Sequence, residues 1–106
     1  MIAAVDFDGT ICTNNYPNIG KPNTTFIKNL IRCRNNGWKL ILWTCRTDEQ
    51  LEEAVEFCRS KGLEFDAINE NLPEIVEGFG GDTRKVVADM YIDDRAYSAS
   101  KFIDVT

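Results

Sequence analysis

Short apolar runs alternate along the chain with longer segments in which apolar residues recur every three or four positions. The runs are continuous rather than alternating in polarity, which is typical of parallel strands that are buried on both faces. We predict four core strands, followed by a fifth at the edge of the sheet, at residues 2–5, 38–43, 65–68, 86–92 and 98–105.

Two amphipathic helices are predicted in the first two gaps between these strands. The first helix has Asn23 or Thr24 as its cap, and it stops at Gly37, because glycine commonly ends helices. The second helix follows Thr47, which has the spacing of a capping box with Gln50.

This order of strands and helices predicts an α/β fold with a three-layer, Rossmann-like parallel sheet flanked by helices. The segments 9–22 and 69–84 are predicted loops, with one helical turn from residue 73. A chain of 106 residues, 43% of them hydrophobic, suits a single domain over residues 1–106. Its core is expected to include both tryptophans, Trp38 and Trp43.

Composition and charge narrow the classes of function. The chain has 12 basic and 17 acidic residues, and a net charge of −5 argues against binding to nucleic acid or to an anionic membrane. Histidine is absent and the four cysteines form no CxxC pair, which argues against a Cys/His zinc site. We see no leader peptide and no apolar run of about twenty residues. The expected location is therefore the cytoplasm, with free thiols.

Carboxylates and a hydroxyl stand where the predicted strands end. Asp6 and Asp8 follow the first strand, Thr44 follows the second, and Asp93 and Asp94 follow the fourth. Right-handed crossovers bring the carboxyl ends of parallel strands to one edge of the sheet. Ligands bind there, where the strand order reverses. We therefore expect these five side chains to meet in one crevice.

Four carboxylates in one crevice repel one another, and a hard divalent cation removes that repulsion. The cluster predicts a Mg²⁺ site open to a phosphate group. One carboxylate can attack a phosphoryl group and form an aspartyl-phosphate, and a second can serve as the general acid and base. Lys85, Thr44 and the backbone near Gly9 are available to stabilise charge on the phosphoryl oxygens.

These residues resemble, motif by motif, the haloacid dehalogenase (HAD) superfamily of phosphatases. The first motif, DxDGT after an apolar strand, is matched by residues 6–10. Thr44 after LILW matches the second motif, Lys85 ahead of the last core strand matches the third, and the acidic pair after MYI matches the fourth. All four motifs occur in the family's order and together extend over residues 2–94.

The resemblance implies a role for each residue. Asp6 is expected to be the nucleophile, and Asp8 the general acid/base. Thr44 and Lys85 are expected to hold the transferring phosphoryl group. An aspartate at the position of Asp8 favours a phosphatase over a dehalogenase. For Lys85, the alternatives are a solvated surface charge or replacement in the site by Arg84.

The same resemblance implies a set of Mg²⁺ ligands and an open site. Asp6, the backbone carbonyl of Asp8 and Asp94 are expected to bind the metal directly, and Asp93 through a water molecule. Many relatives carry a cap domain, whereas this chain is expected to be a minimal, capless member. An open site admits a large phosphoester, or a second copy of the chain closes it. The substrate is therefore predicted only as a phosphorylated molecule.

Four neighbours of the motifs are candidate substrate-binding residues: Gly9, Thr10, Cys45 and Arg46. Arg46 has two readings. It reaches a substrate phosphate or carboxylate with both arms of its guanidinium, or it holds a nearby loop. For Cys45, as for Cys12, the favoured alternative is a small buried apolar side chain.

Two other classes of function compete with the phosphatase. Receiver-like phospho-acceptor modules also combine an acidic pocket, Mg²⁺, a hydroxyl and a lysine on a parallel sheet, but they place the acidic pair after the first strand. A non-catalytic protein that binds metal or phosphate is the third possibility. Repeated turnover distinguishes the enzyme from both.

Overall fold

Four strands and three helices alternate along the chain. The computed structural model describes residues 1–79 and 87–93. In chain order the elements are β1 (Ile2–Val5), α1 (Thr24–Asn35), β2 (Lys39–Leu42), α2 (Asp48–Ser60), β3 (Ala67–Ile68), α3 (Pro73–Phe79) and β4 (Met90–Ile92). The expected strand at 98–105 lies outside the described residues.

The four strands form one sheet in the order β3-β2-β1-β4, and every pair is parallel. The predicted parallel α/β fold is therefore confirmed. Val5 is in register with Leu42 on one side and with Ile92 on the other. The chain moves outward from β1 through β2 to β3 and then returns to the opposite side of β1. The strand order thus reverses at β1.

Alternate residues of the central strands bury against opposite layers. Ala3 and Val5 of β1 belong to the main core, which also contains the apolar stripes of α1 and α2. Ala4 faces the other way, into a smaller cluster with Ile41 and Leu72, against which Ile75 of α3 packs. The period of two places helices on both faces of the sheet, as the three-layer prediction requires.

The predicted N-terminal caps are confirmed for one helix and wrong for the other. Asn23 caps α1, because its side-chain oxygen accepts a hydrogen bond from the Phe26 amide at 3.3 Å. Thr47 is the N-cap residue of α2, but its side chain makes no capping bond, so the predicted capping box is wrong. Asp48 directly follows at φ 50°. This left-handed residue takes the backbone out of the geometry in which a cap hydroxyl meets the N3 amide.

Several predicted boundaries and one core residue also differ from the structure. β3 and β4 are shorter than their apolar runs, and α3 is longer than the expected single turn. At the start of β4, the Asp89 carboxylate accepts a hydrogen bond from the Ile2 amide at 2.7 Å. Trp38 is buried, but the prediction for Trp43 is wrong because its side chain is 41% exposed. It lies one residue past β2.

Two further findings concern the whole described chain. Its helices are too short or too polar to cross a bilayer, as far as residues 1–79 and 87–93 show. All four cysteines are free thiols, three of them buried.

Candidate functional site

The carboxyl edge of the sheet brings predicted site residues from three strands together. Asp6 directly follows β1, Asp93 directly follows β4, and Thr44 comes two residues after β2. The hydrogen-bond ladder continues past the strand ends, since the Asp6 amide donates to the Ile92 carbonyl at 2.9 Å. On the other side, the Trp43 amide donates to the Val5 carbonyl at 2.8 Å. Asp6 therefore lies at the point of strand-order reversal, where α/β sheets bind ligands.

A tight turn after β1 shapes the first motif. Phe7 is fully buried, and its carbonyl accepts from the amides of Thr10 and Ile11 at 3.2 and 2.9 Å. Gly9 has φ 84°, which a side chain would strain, and its amide donates to the Cys12 carbonyl at 2.9 Å. Thr10 is 2% exposed, and its hydroxyl has no hydrogen-bond partner among the described residues.

Asp8 is held by Arg46 through two parallel hydrogen bonds. Arg46 Nε donates to Asp8 Oδ2 at 2.8 Å, and Arg46 Nη2 donates to Asp8 Oδ1 at 2.7 Å. The Arg46 side chain is 1% exposed, whereas that of Asp8 is 18% exposed. The pair is thus buried on the arginine side and reaches solvent on the aspartate side. Bidentate pairing between a guanidinium and a carboxylate fixes the orientation of the carboxylate as well as balancing its charge.

The remaining donors of Arg46 bind main-chain carbonyls. Nη1 donates to Pro17 and Gln50 at 3.1 and 3.3 Å, and Nη2 also donates to Asn18 at 2.8 Å. All five N–H groups therefore have partners in the protein. The guanidinium lies 5.0 Å from the Phe7 ring centre and 5.1 Å from that of Tyr16.

This environment favours one of the two interpretations of Arg46. The hydrogen bond to Asp8 is the main cause that raises the pKa of Arg46 above its ordinary value, against the opposing effect of burial. A charged guanidinium with every donor engaged has none left for a substrate phosphate. The geometry supports the loop-holding role, with residues 17 and 18 of the predicted 9–22 loop as its partners.

Thr44 is oriented by two neighbours. Its hydroxyl oxygen accepts from the Arg46 amide at 3.1 Å, and its own amide donates to Asn69 Oδ1 at 2.8 Å. Asn69 directly follows β3 at φ 54°, and its amide donates to the Leu42 carbonyl at 2.8 Å. Asn69 was not among the predicted site residues. The available signal was an asparagine, a residue that tolerates left-handed backbone, at the end of a predicted strand.

Two cysteines lie near the motifs in different environments. Cys12 is buried, and burial is the main cause that raises the pKa of its thiol. Cys45, beside Thr44, is exposed, so the alternative of a small buried side chain is wrong for Cys45. A cavity of about 240 Å³ borders Gly9 and Thr10 and extends to Lys21.

The predicted Mg²⁺ ligands are only partly described. Asp94 lies outside the described residues, as does Lys85. Within residues 1–79 and 87–93, no three acidic or cysteine side chains converge as metal ligands would. Asp6 and Asp93 offer hard oxygen donors on adjacent strand ends. Asp8 has both carboxylate oxygens on Arg46. Its main-chain carbonyl is the donor that the resemblance assigned to the metal, and a Mg²⁺ site at this edge stays a prediction.

The fold and this edge define a parallel α/β protein with acidic residues at its topological switch point. No protein-family model matches the chain, and no curated protein matches it either. A solved structure of a conserved protein from Bacteroides thetaiotaomicron is 46% identical, with a TM-score of 0.79. The match covers 90% of this chain and 76% of that chain. The chain belongs to the same family as this Bacteroides protein.

Proposed function

We propose that the protein is a Mg²⁺-dependent phosphomonoesterase of the HAD type that forms an aspartyl-phosphate on Asp6. The observation that carries the proposal is the placement of Asp6 between the ends of β2 and β4, where the strand order reverses. Thr44 and Asp93 follow the two neighbouring strands. Parallel α/β sheets bind ligands at this position, and these side chains suit a metal and a phosphate.

The proposed reaction has two displacements at phosphorus. A carboxylate oxygen of Asp6 attacks the phosphoryl group, the bond to the leaving alcohol breaks, and Asp8 donates a proton to the departing oxygen. Water then attacks the aspartyl-phosphate and gives its proton to Asp8. Phosphate leaves and Asp6 is regenerated, so atoms and charge balance over the cycle.

The metal would be held directly by Asp6, the Asp8 main-chain carbonyl and Asp94, with Asp93 acting through a water molecule. When bound, Mg²⁺ neutralises the charge that the carboxylates and the phosphoryl group bring together. The protein's part is to fix these oxygens on the ends of rigid strands. Repulsion between the carboxylates and the dianionic substrate makes activity dependent on the cation.

Thr44 is suited to hold a phosphoryl oxygen. Its hydroxyl oxygen already accepts a bond from the Arg46 amide, so its own proton is available to donate outward. Asn69 fixes the Thr44 backbone from the other side. Lys85 is the proposed second phosphoryl-binding group.

The substrate is proposed as a phosphorylated molecule without a commitment to its class. The acidic balance of the chain disfavours nucleic acid. The described residues between β1 and α1 form a loop rather than a cap, which fits an open site or one closed by a second copy. The proposed location remains the cytoplasm.

A phospho-acceptor switch is the second candidate, and one observation favours it. Both carboxylate oxygens of Asp8 are engaged by Arg46. A switch needs no acid/base, and an aspartate held in this way would leave the phosphorylated state long-lived. The two candidates therefore differ in whether Asp8 exchanges protons while it stays paired.

Release of phosphate from p-nitrophenyl phosphate, with Mg²⁺ or with EDTA, tests the proposal. We expect many turnovers that require Mg²⁺ and fall by about a thousandfold in Asp6→Asn, because the nucleophile is lost. Glu53→Gln, the same change of charge at an exposed position on α2, is the matched control and should keep full activity. Equal activity in wild type and Asp6→Asn would refute the proposal. One equivalent of phosphate retained from acetyl phosphate, without turnover, would establish the switch.

A further inference from the structure

Arg46 connects the candidate acid/base to the loop that borders the site. On one side its guanidinium holds both oxygens of Asp8, and on the other it binds the carbonyls of Pro17 and Asn18. Tyr16 covers the outer face of the same group. We call residues 13–22 the site loop. One side chain therefore fixes the position of Asp8 and of the site loop together.

The cost of this arrangement suggests that stability is not its purpose. A charged group that is 1% exposed has lost nearly all of its hydration. Buried ion pairs often contribute little net stability compared with apolar residues of the same size. Carbonyl groups in a loop can be satisfied by water at the surface, without a buried arginine. The bidentate geometry is therefore best explained by the orientation that it imposes on Asp8.

We propose that Arg46 is a positioning residue for Asp8, and that through Arg46 the site loop and the acid/base move as one unit. This inference rests on the phosphatase activity proposed above. When the site loop is closed, the Asp8 carboxylate is held at a fixed angle to the site. When the loop opens, Arg46 loses two carbonyl partners and the cover of Tyr16, and Asp8 loses its orientation.

Pairing with Arg46 occupies only part of the Asp8 carboxylate. Each carboxylate oxygen has two lone-pair positions, and Arg46 uses one on each. The second position on an oxygen can accept a hydrogen bond from the attacking water or from the alcohol group of the substrate. The 18% exposure of the Asp8 side chain provides the access.

Arg46→Lys tests the role in catalysis, because lysine keeps the charge but cannot form the two-pronged contact. Two substrates with different leaving groups should distinguish an effect on proton donation from a general loss of activity. An alkyl phosphomonoester such as glycerol 3-phosphate needs a proton on its leaving oxygen, whereas p-nitrophenolate leaves without one. We expect kcat/KM for the alkyl ester to fall by about 10- to 100-fold, and that for the nitrophenyl ester by less than about threefold. Arg59→Lys, at an exposed arginine paired with Glu56, should change neither.

A double-mutant cycle distinguishes positioning from a general loss of structure. If Arg46 acts through Asp8, Arg46→Lys should have no further effect on the alkyl ester in an Asp8→Asn background. Independent effects that multiply would overturn the proposal. Equal losses for both esters, or a loss that falls on KM alone, would overturn it as well.

Hydrogen exchange tests the coupling without any enzyme assay. The Thr13 amide donates to the Lys21 carbonyl at 2.9 Å, and the Lys21 amide donates to Thr13 Oγ1 at 2.8 Å. Both amides should exchange at least about tenfold faster in Asp8→Asn and in Arg46→Lys, while the amides of α1 stay protected. Unchanged exchange in both variants would overturn the coupling even if the wild type proves to be inactive. Failure of the phosphatase proposal is recognised separately, by the absence of turnover in the wild type.

Discussion

Asp8→Ala should be among the most destabilising single substitutions near the site. It leaves Arg46, at 1% exposure, with two of its five N–H groups without their carboxylate. Removing one partner of a buried ion pair typically costs about 3–5 kcal/mol. Because the Asp8 side is 18% exposed, water can replace part of the lost contact, and we expect a smaller cost of about 2–3 kcal/mol.

Urea or thermal unfolding followed by circular dichroism measures this cost. A loss of about 2–3 kcal/mol lowers the Tm by roughly 10–20 °C in a domain of this size. Asp8→Asn keeps an oxygen that can accept one of the two bonds, so it should lose about half as much. Arg46→Met in the Asp8→Ala background removes the unpaired charge and should recover part of the stability. A loss below about 0.5 kcal/mol for Asp8→Ala would refute this account of a desolvated guanidinium.

Three further outcomes test other parts of the structure. Asn69→Gly should lower phosphatase kcat about tenfold, because Thr44 loses the side chain that fixes its backbone. Asn69→Ala should cost a further ~1 kcal/mol of stability, because alanine tolerates the left-handed backbone at φ 54° poorly. Unchanged kinetics in both variants would exclude a site role for Asn69. At pH 8, a thiol reagent should modify one cysteine quickly, the exposed Cys45, and Cys45→Ser should abolish this reaction. Burial raises the pKa of Cys58 from 9.0 to about 12, so only the unfolded chain releases this proton, and the free energy of unfolding should fall between pH 9 and 12. Cys58→Ala should show a shallower fall, and equal slopes would contradict the burial.

Local pattern predicted most of the fold because the relevant forces act over short stretches of chain. β1 matches its apolar run at both ends, and Asn23 caps α1 as its side chain predicts. The parallel sheet followed from the order of the elements, since crossover handedness leaves few topologies. The predicted strand boundaries were less accurate where hydrogen bonding to a neighbouring strand decides how far the strand extends. β4 pairs over only three residues of a longer apolar run.

The candidate site was predicted in part for the same reason. The positions of Asp6, Thr44 and Asp93 at strand ends follow from strand order alone, and the structure brings them to one edge. Their proposed roles remain predictions, as do those of Lys85 and Asp94. Asn69 was missed because its contact with Thr44 joins residues 25 positions apart, on neighbouring strands.

The sequence by itself determined the α/β class, the positions of the main elements and the edge of the sheet at which acidic residues gather. Hydrophobic period, caps and crossover rules suffice for these, because each depends on neighbours in the chain or on simple topology. Tertiary structure alone decided that Arg46 binds Asp8 rather than standing open to a ligand, although 38 positions separate them. It also decided that Trp43 stays exposed while Trp38 is buried. Both outcomes depend on which groups the packing of the fold brings within hydrogen-bond or van der Waals distance. Neither the composition of the chain nor the spacing of its residues along the sequence determines those distances.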